Sequence, residues 1–468
     1  MNALRFALLL GVSAAVPVSC GGVAERPHSP EPVAVRAPSF AHPVSYETGR
    51  DPADVAIADL NGDGQGDIVT TDSRAVSALL SDGKGSFGKR TDFRPGGSSL
   101  GVADLNHDGA ADIVVAGLRK SVSVLFNRGN GTFRAGGAYE TTGTPYAVAV
   151  GDLNGDGSAD LAVANADGVS VLLNRGDGSF MSPTYYRAGD APSSVAIADL
   201  NGDGKPDLAT AAYEGSSALL LNRGDGKFGP GRHYDGTTGE SLLVAADFNG
   251  DGKQDLAVAT NDETGDFSDD EGGPTLYPSD VYVLPSKGDG RFGRPPIAYE
   301  TQGYDEGLSA VAADDMNRDG RPDVVFAHWG AASAVSILLG SGQGRFEQVD
   351  YPVGDREYDF ALAVGDVNGD ARPDLVLADE QGRAVSVYVN TPGLCTVQDV
   401  TGMMLQSEPM TLPRATRALE QAHCRVGTIR EQSDTDFPDG SVLEQKPRFG
   451  AVLPGGSKVD LVVSKAQK

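Results

Sequence analysis

The chain has 468 residues, of which 40% are apolar and 62 are glycine. The apolar content is enough for a sizeable core and excludes wholesale disorder, and the glycine share, nearly twice the usual ~7%, has no collagen-type period. Acidic residues outnumber basic residues by 65 to 38, which gives a formal net charge of −27. This charge argues against a nucleic-acid partner, because phosphate binding needs a basic face, and it makes calcium a cation worth considering.

Residues 1–20 have the features of an export signal. Arg5 supplies a positive charge, and the apolar run 6–16 that follows is too short to span a bilayer. Small residues then lead to Cys20, which resembles the lipidation site of bacterial lipoprotein signals; an ordinary secretory signal is the alternative. Either one places the chain outside the cytosol, and no later apolar run is long enough to predict another membrane segment. Residues 21–39 are rich in Pro, Ala and Val, and we expect them to form an extended tether.

A nine-residue string, Asp-x-Asn-x-Asp-x-x-x-Asp, recurs seven times between residues 59 and 374. Successive copies begin 45, 48, 47, 48, 68 and 51 residues apart, so one interval contains an insertion. The residues at positions one, three, five and nine are Asp59, Asn61, Asp63, Asp67; Asp104, Asn106, Asp108, Asp112; Asp152, Asn154, Asp156, Asp160; Asp199, Asn201, Asp203, Asp207; Asp247, Asn249, Asp251, Asp255; Asp315, Asn317, Asp319, Asp323; and Asp366, Asn368, Asp370, Asp374.

The sequence around each string also repeats. A small-apolar run precedes it, a Val-rich run follows it, and a third apolar run leads to a Gly-x-Gly-x-Phe turn. Runs of about four to seven residues bounded by Gly, Asp and Asn are typical of strands, and four strands per repeat match a propeller blade. The pattern predicts an all-β, seven-bladed β-propeller over residues 40–391. The seventh unit ends with its third strand at 385–390, so we expect the fourth-strand pattern at 40–46 to complete that blade.

The repeated string supplies the oxygen ligands that calcium prefers. Calcium takes six to eight oxygens, and positions one, three, five and nine offer carboxylate and amide oxygens. Position seven varies freely, as expected if it contributes only its backbone carbonyl, whereas position six is Gly in six copies and Ala371 in the seventh, which predicts the weakest site there. The strings lack the twelfth-position Glu and flanking helices of an EF-hand. Simple hairpin turns are the alternative, but seven copies of the same four residues favour up to seven Ca²⁺ ions.

These units resemble the FG-GAP/VCBS repeats of integrin-α-like propellers over about residues 40–391. The resemblance implies that each loop joins the first and second strands of a blade and holds calcium, so it assigns the ligand role to the 28 residues given above. It does not fix a function, because adhesion propellers, lectins and accessory domains of enzymes share the repeat.

Residues 394–468 differ in character, with a helical pattern around 414–423 followed by strand patterns. Their Gly and Pro spacing resembles a PASTA domain, a small α+β module. The resemblance implies an extracytoplasmic chain and, for some members, binding of peptidoglycan stem peptides. Cys395 and Cys424 would link the start of this module to the end of its helix by a disulfide, which suits an oxidising compartment. Two buried thiols, or a metal pair near His423, are the alternatives.

The sequence contains no catalytic signature: it has no nucleophile elbow, zinc-protease motif, Walker loop or Rossmann fingerprint. Trp329, the only tryptophan, is a candidate for stacking against a sugar, and packing between blades or in a surface loop is the alternative. The insertion at 261–280 carries six acidic residues within 262–271 and no basic one in that stretch. It is a candidate site for a cation or a basic partner, or a solvated loop.

Three functional hypotheses follow. The first is an exported, lipid-anchored, calcium-binding propeller, monomeric, that binds a glycan, peptidoglycan or protein ligand at the cell surface. The second is a polysaccharide-active enzyme built on the propeller, which requires a cluster of catalytic side chains that the sequence does not show. The third is a structural envelope protein whose C-terminal module holds cell-wall peptides.

Overall fold

The structure is a computed structural model that describes residues 7–8, 37–117, 119–189, 191–212, 217–234, 240–261, 280–293, 297–300, 307–328, 334–342, 345–353, 360–379, 382–397, 400–401, 410–433 and 437–465. Cys20, Trp329 and the insertion residues 262–279 lie outside the described residues, so the expectations attached to them remain predictions.

Short strands account for nearly all of the regular structure before residue 391, and all but the first of them lie in residues 40–391. In chain order they are β1 (Ala7–Leu8), β2 (Val44–Glu47), β3 (Asp54–Ala58), β4 (Asp67–Thr71), β5 (Val76–Leu79), β6 (Thr91–Phe93), β7 (Ser99–Ala103), β8 (Asp112–Ala116), β9 (Ser121–Asn127), β10 (Phe133–Glu140), β11 (Pro145–Gly151), β12 (Asp160–Asn165), β13 (Gly168–Leu172), β14 (Thr184–Tyr186), β15 (Pro192–Ala198), β16 (Asp207–Ala212), β17 (Ala218–Leu220), β18 (Arg232–His233), β19 (Glu240–Ala246), β20 (Asp255–Asn261), β21 (Asp280–Leu284), β22 (Ile297–Glu300), β23 (Leu308–Asp314), β24 (Asp323–His328), β25 (Ala334–Gly340), β26 (Phe346–Pro352), β27 (Phe360–Gly365), β28 (Asp374–Asp379) and β29 (Ala384–Tyr388).

Within the described residues, the strands from β2 to β29 pair into seven antiparallel sheets of four strands. The first strand of each sheet lies next to the first strand of the following sheet, and β27 of the last sheet lies next to β3 of the first, so the sheets form a closed ring. The buried apolar clusters lie between neighbouring sheets; Val55 of the first sheet, for example, packs with Ala363 and Val376 of the last. The predicted all-β propeller is therefore confirmed as the fold.

The N-terminal strand completes the last sheet, as the sequence predicts. Strand β2 pairs antiparallel with β29, with Tyr46 opposite Val385, and Phe40 forms an additional bridge to Asn390. The packed region begins earlier than the expected boundary at residue 40, because Ala37 and Ser39 are already buried. Strand β1 adds two residues in parallel to β23 in the sixth sheet.

The C-terminal module has its own core and sheets. It contains β30 (Leu394–Thr396), α1 (Leu412–Gln421), β31 (Arg425–Ser433), β32 (Val442–Lys446), β33 (Val452–Pro454) and β34 (Lys458–Lys465). Strand β34 is central, parallel to β31 and antiparallel to β32. Cys395 and Cys424 form a disulfide with their Cα atoms 4.7 Å apart, which confirms the predicted pair. No helix in the described part of the chain is both long and apolar enough to cross a membrane.

Candidate metal-binding loops

Each nine-residue string joins the first strand of its sheet to the second. In the first sheet, Asp59 directly follows β3, and Asp67 is the first residue of β4. The same placement recurs in all seven sheets. Because the sheets share one topology around the ring, the seven acidic loops lie at the same face of the propeller.

Backbone N–H groups hold the acidic side chains of the first loop in place. Asp59 Oδ1 accepts a hydrogen bond from Gly62 N at 2.7 Å, and Asp59 Oδ2 accepts one from Gly64 N at 2.8 Å. Asn61 Oδ1 accepts from Asp63 N at 2.9 Å, and Asp63 Oδ1 accepts from Gln65 N at 2.9 Å. Each oxygen-bearing side chain therefore turns back over its own loop, an arrangement typical of Asx turns.

The seventh loop keeps this conformation despite its alanine. Ala371 has a φ of 61° and its N–H donates to Asp366 Oδ2 at 2.7 Å, as the position-six glycines do in the other loops. Position four also requires a positive φ: it is Gly in five loops, but His107 and Arg318 adopt φ values of 59° and 61°. A non-glycine residue is strained at such a φ, so these three substitutions cost stability locally.

The ninth-position aspartates are fully buried at the start of each second strand. Asp67 Oδ2 accepts from Leu60 N at 2.9 Å, and its Oδ1 accepts from Ser81 N at 2.7 Å. Burial, and secondarily the neighbouring carboxylates at positions five and one, raise the pKa of every one of these carboxyls. The pKa rises to about 6 at Asp112, Asp160, Asp207 and Asp255, to about 7 at Asp374 and to about 8 at Asp323.

Three of the basic side chains at position seven pair with a carboxylate of their own loop. Lys205, Lys253 and Arg321 form ion pairs with the position-five aspartates of their own loops, at 3.5, 3.3 and 2.7 Å respectively. Each pair is partly solvent-exposed, so its contribution to stability is small. The basic residues offset part of the charge of three carboxylates in three of the loops.

The loops have the donor chemistry of a hard-cation site. Within the described residues, no group of three or more His, Cys, Asp or Glu side chains is arranged to hold a metal. Backbone N–H groups hold both carboxylate oxygens of Asp59 over the first loop. The fifth loop differs: Asp255 Oδ2 is buried and accepts no hydrogen bond from the described residues. A buried, unpaired carboxylate oxygen beside Asp247 and Asp251 is costly unless a proton or a cation joins it, so the residues fit calcium.

Two recurring positions were missed in the sequence. Position two of each string varies in type but is always apolar and buried, as at Leu60 and Phe248. The residue at the end of each third strand, or two positions beyond it, is Asn or Ser in six units and Gly340 in the sixth unit. The Asn that commonly ends runs such as 121–127 is the sequence signal for this position.

A buried Ser and His lie beside a half-buried Asp in the sixth sheet, in an arrangement that is closed to substrate. His328 Nε2 is 2.9 Å from Ser336 Oγ, and Ser336 donates that hydroxyl to Asp350 Oδ1 at 2.5 Å. Ser336 is fully buried, so no substrate reaches it. Asn165 and Ser170 occupy the same two positions in the third sheet, and Asn165 Nδ2 donates to Ser170 Oγ at 3.0 Å. The contact between His328 and Ser336 is therefore a hydrogen bond that links the second and third strands of the sheet.

A groove of about 490 Å³ lies where the last sheet meets the first. Arg90 is held there by Asp92 at 3.1 Å and by a hydrogen bond to the backbone oxygen of Thr48. Tyr46 presents its ring between the sheets and stacks edge-on against Phe87 at 5.1 Å. The groove is lined by Tyr46, Glu47, Leu79, Gly88, Lys89, Arg90 and Asp92. An aromatic ring with charged donors and acceptors around it suits a hydroxyl-rich ligand.

Comparison with protein families agrees with this architecture. The FG-GAP-like repeat model matches residues 59–115, 104–163, 152–210, 199–258 and 315–377, more than half of the chain. The chain belongs to the FG-GAP-like repeat family. The PASTA domain model matches residues 396–465, so this FG-GAP propeller also carries a PASTA domain. The resemblances expected from the sequence are both confirmed.

Individual proteins are similar to parts of this FG-GAP protein. A probable serine/threonine-protein kinase of Corynebacterium efficiens is 34% identical over 86 residues, which are 18% of this chain and 12% of the kinase. The chain thus spans a small part of that relative. The BP39L lectin from Burkholderia pseudomallei aligns with a TM-score of 0.54 and 15% identity, over 74% of this chain and 97% of the lectin. BBS1N, from a complex with ARL6DN, aligns with a TM-score of 0.52 and 12% identity, over 76% of this chain and 98% of BBS1N. At these identities the structures show a shared fold.

Proposed function

We propose that this chain is an exported, calcium-binding surface protein that recognises a glycan or a peptidoglycan fragment. The observation that carries the proposal is the combination of an FG-GAP propeller with a PASTA domain on one chain. PASTA domains are typically extracytoplasmic, and the disulfide in this one suits an oxidising compartment. A propeller that shares the fold of a lectin supports a saccharide as the ligand.

Calcium would be held by the side-chain oxygens at positions one, three, five and nine of each loop, with the backbone carbonyl of position seven. The ion would neutralise carboxylates whose charge is disfavoured by burial, and it would fix the loops at one face of the ring. The fifth loop is the best-supported of the seven, because Asp255 Oδ2 is buried without a hydrogen-bond partner among the described residues.

The groove between the last and first sheets is the proposed ligand site. Asp92 and the Thr48 carbonyl fix the Arg90 guanidinium before any ligand arrives, which lowers the entropic cost of binding. Lys89 is exposed at the same opening and can donate to hydroxyl or carboxylate groups of a sugar. Tyr46 offers an apolar ring face for sugar C–H groups.

Glycan and muropeptide arrays test this proposal with the full chain. Removing one charged donor from a binding site costs about 1.5–3 kcal/mol, so Lys89→Ala should weaken binding about 10- to 100-fold. The matched control is Lys84→Ala, which removes an exposed lysine from the neighbouring turn, outside the groove lining. Equal effects of the two substitutions, or no binding to any saccharide, would refute the groove as the site.

The C-terminal module gives the second candidate function, a structural protein that holds cell-wall peptides through its PASTA domain. The two functions differ in where a muropeptide binds. If Lys89→Ala leaves muropeptide binding unchanged while a substitution in the module abolishes it, the structural function is favoured. A panel of glycosidic substrates tests the enzymatic alternative, for which no accessible catalytic cluster was found among the described side chains.

Lipid anchoring at Cys20 is tested separately. Metabolic labelling with a fatty acid should mark the wild-type protein, and Cys20→Ser should abolish the label and release the protein from membranes. An unlabelled wild type would contradict the anchor while leaving export by an ordinary signal intact.

A further inference from the structure

A side chain of one sheet holds the acidic loop of the sheet before it. Asn174, which follows the third strand of the third sheet, donates through Nδ2 to the backbone oxygen of Leu105 at 2.8 Å. Leu105 is position two of the second loop. The backbone N–H of Asn174 donates to Asp160 Oδ1, the ninth position of its own loop, at 2.7 Å. One residue therefore connects the second loop to the third.

The same connection occurs at six of the seven junctions. In each case an Asn or Ser side chain at the end of a third strand donates to the position-two carbonyl of the preceding loop. The pairs are Ser81 with Val367, Asn127 with Leu60, Asn174 with Leu105, Asn222 with Leu153, Ser286 with Leu200, and Asn390 with Met316, at 2.8–3.1 Å.

Position two also continues the connection through its own loop. Leu105 N donates to Asp112 Oδ2 at 3.1 Å, and Asp112 Oδ1 accepts from Asn127 N at 2.7 Å. Asn127 then reaches Leu60, whose N–H donates to Asp67. The hydrogen bonds thus run from loop to loop through the buried ninth-position carboxylates, and we call this series the relay.

The relay is interrupted at one junction, between the fifth and sixth sheets. The sixth unit has Gly340 where the others have Asn or Ser, so this position offers no side chain to the carbonyl of Phe248. Phe248 N donates to Ala246 O at 3.0 Å, and Asp255 Oδ2 is left without a partner among the described residues. In the other six loops, position two donates its N–H to the ninth-position aspartate and accepts a side-chain hydrogen bond at its carbonyl. Among the described residues, the fifth loop has neither of these two hydrogen bonds.

We propose that the relay couples the opening of neighbouring acidic loops around the ring, and that its interruption at Phe248 and Gly340 makes the fifth–sixth junction the seam where the ring opens first. Hydrogen bonds in a buried network support one another, so disturbing one member weakens those beside it. A junction that lacks these bonds opens at a lower free energy than the other six. The inference concerns the chain's own hydrogen bonds and does not depend on the ligand of the groove.

Hydrogen exchange on the chelator-treated full chain, followed by mass spectrometry, tests the seam. Two missing buried hydrogen bonds should make peptides covering residues 247–255 exchange about tenfold faster than peptides covering the other six strings. Exchange at an equal rate in all seven loops would overturn the proposal.

Gly340→Ser should restore the missing donor, because Ser81 and Ser286 perform that role in two other units. The backbone of Gly340 does not have a positive φ, and an added Cβ would meet Pro322 O at 3.0 Å, so the new side chain fits with a small adjustment. Exchange at 247–255 should slow about fivefold relative to Gly340→Ala, which adds the Cβ without the hydroxyl. No difference between the two variants would overturn the proposed cause of the seam.

Asn174→Ala tests the coupling itself. The substitution removes the side-chain bonds to Leu105 in the second loop and Ala159 in the third, and keeps the backbone N–H bond to Asp160. Exchange should rise in those two loops and also in the first loop, which Asn174 does not touch but which the relay reaches through Asp112 and Asn127, while the fifth loop is unchanged. The matched control is Asn130→Ala, since Asn130 is exposed and its side chain accepts hydrogen bonds from Thr132 within its own turn. A rise confined to the segments that the Asn174 side chain contacts directly, namely the second loop, the third loop and the turn at residues 176–179, would contradict coupling.

Discussion

The single aromatic ring of Phe40 should decide whether the propeller stays closed. Phe40 is 3% exposed, packs edge-on against Tyr351 with centroids 4.9 Å apart, and bridges Asn390 at the end of the last sheet. It occupies the place that the Phe of a Gly-x-Gly-x-Phe turn fills in the other units, as Phe180 does beside Asn174. The N-terminal segment therefore supplies the residue that the seventh unit lacks.

Phe40→Ala should lower the free energy of unfolding by about 3–5 kcal/mol, the usual cost of removing a buried phenyl ring. Phe180→Ala is the matched control, because Phe180 is 4% exposed and pairs edge-on with Tyr139 at 5.1 Å. Urea denaturation followed by circular dichroism should give similar losses for the two variants.

Only Phe40→Ala should also release the N-terminal strand, because β2 is joined to the last sheet by pairing alone, whereas Phe180 lies within a continuous chain. Chymotrypsin should then cleave after Tyr46 in Phe40→Ala while sparing that bond in Phe180→Ala and the wild type. Equal protection of Tyr46 in both variants would refute the idea that Phe40 fastens the ring.

Deleting residues 21–36 should leave Tm unchanged, whereas deleting 21–46 should leave β29 unpaired and cause aggregation; equal Tm and solubility would contradict closure by the N-terminal strand. Burial lowers the pKa of His328 to about 3, so the stability linked to its neutral form is present above pH ~6.5 and is lost as the pH falls towards 3. His328→Asn, which places an amide where the third sheet has Asn165, should make the acid loss of Tm smaller, and an unchanged acid profile would contradict this origin. Reducing the disulfide that closes 29 residues should destabilise the C-terminal module by about 3–4 kcal/mol and leave the propeller transition in calorimetry unchanged; one common shift of both transitions would contradict independent folding.

The fold could be predicted from the sequence because each repeat carries a recognisable string at the same connection between strands. The acidic strings mark every connection between first and second strands, and the missing fourth strand of the last unit points to residues 40–46, which the structure pairs with β29. Residues 37–39 have no strand pattern, yet Ala37 is buried and Ser39 donates to the Thr391 carbonyl. A segment that packs against the propeller without forming a strand has no alternating apolar pattern in its sequence.

The sequence predicts which residue types form the candidate site, but not how deeply they are buried or what they bond to. The four acidic or amide positions are visible in the sequence, whereas the burial of the ninth position and its bonds to the next strand depend on tertiary packing. Position two is Leu, Met, Val or Phe, so its residue type gives no sharp signal, although its backbone carries the contacts. The groove combines Tyr46 with Arg90 from opposite sides of the ring closure, so no local pattern reveals it.

Calcium binding at equilibrium tests the central claim most directly. Protein stripped by a chelator should bind up to seven Ca²⁺ ions in isothermal titration, and saturation should raise Tm, because an ion bound only by the folded chain stabilises it. Asp255→Asn should weaken binding at the fifth loop alone and reduce the number of tightly bound ions by one. Absence of binding at millimolar calcium, with the same Tm in calcium and in excess chelator, would contradict the account.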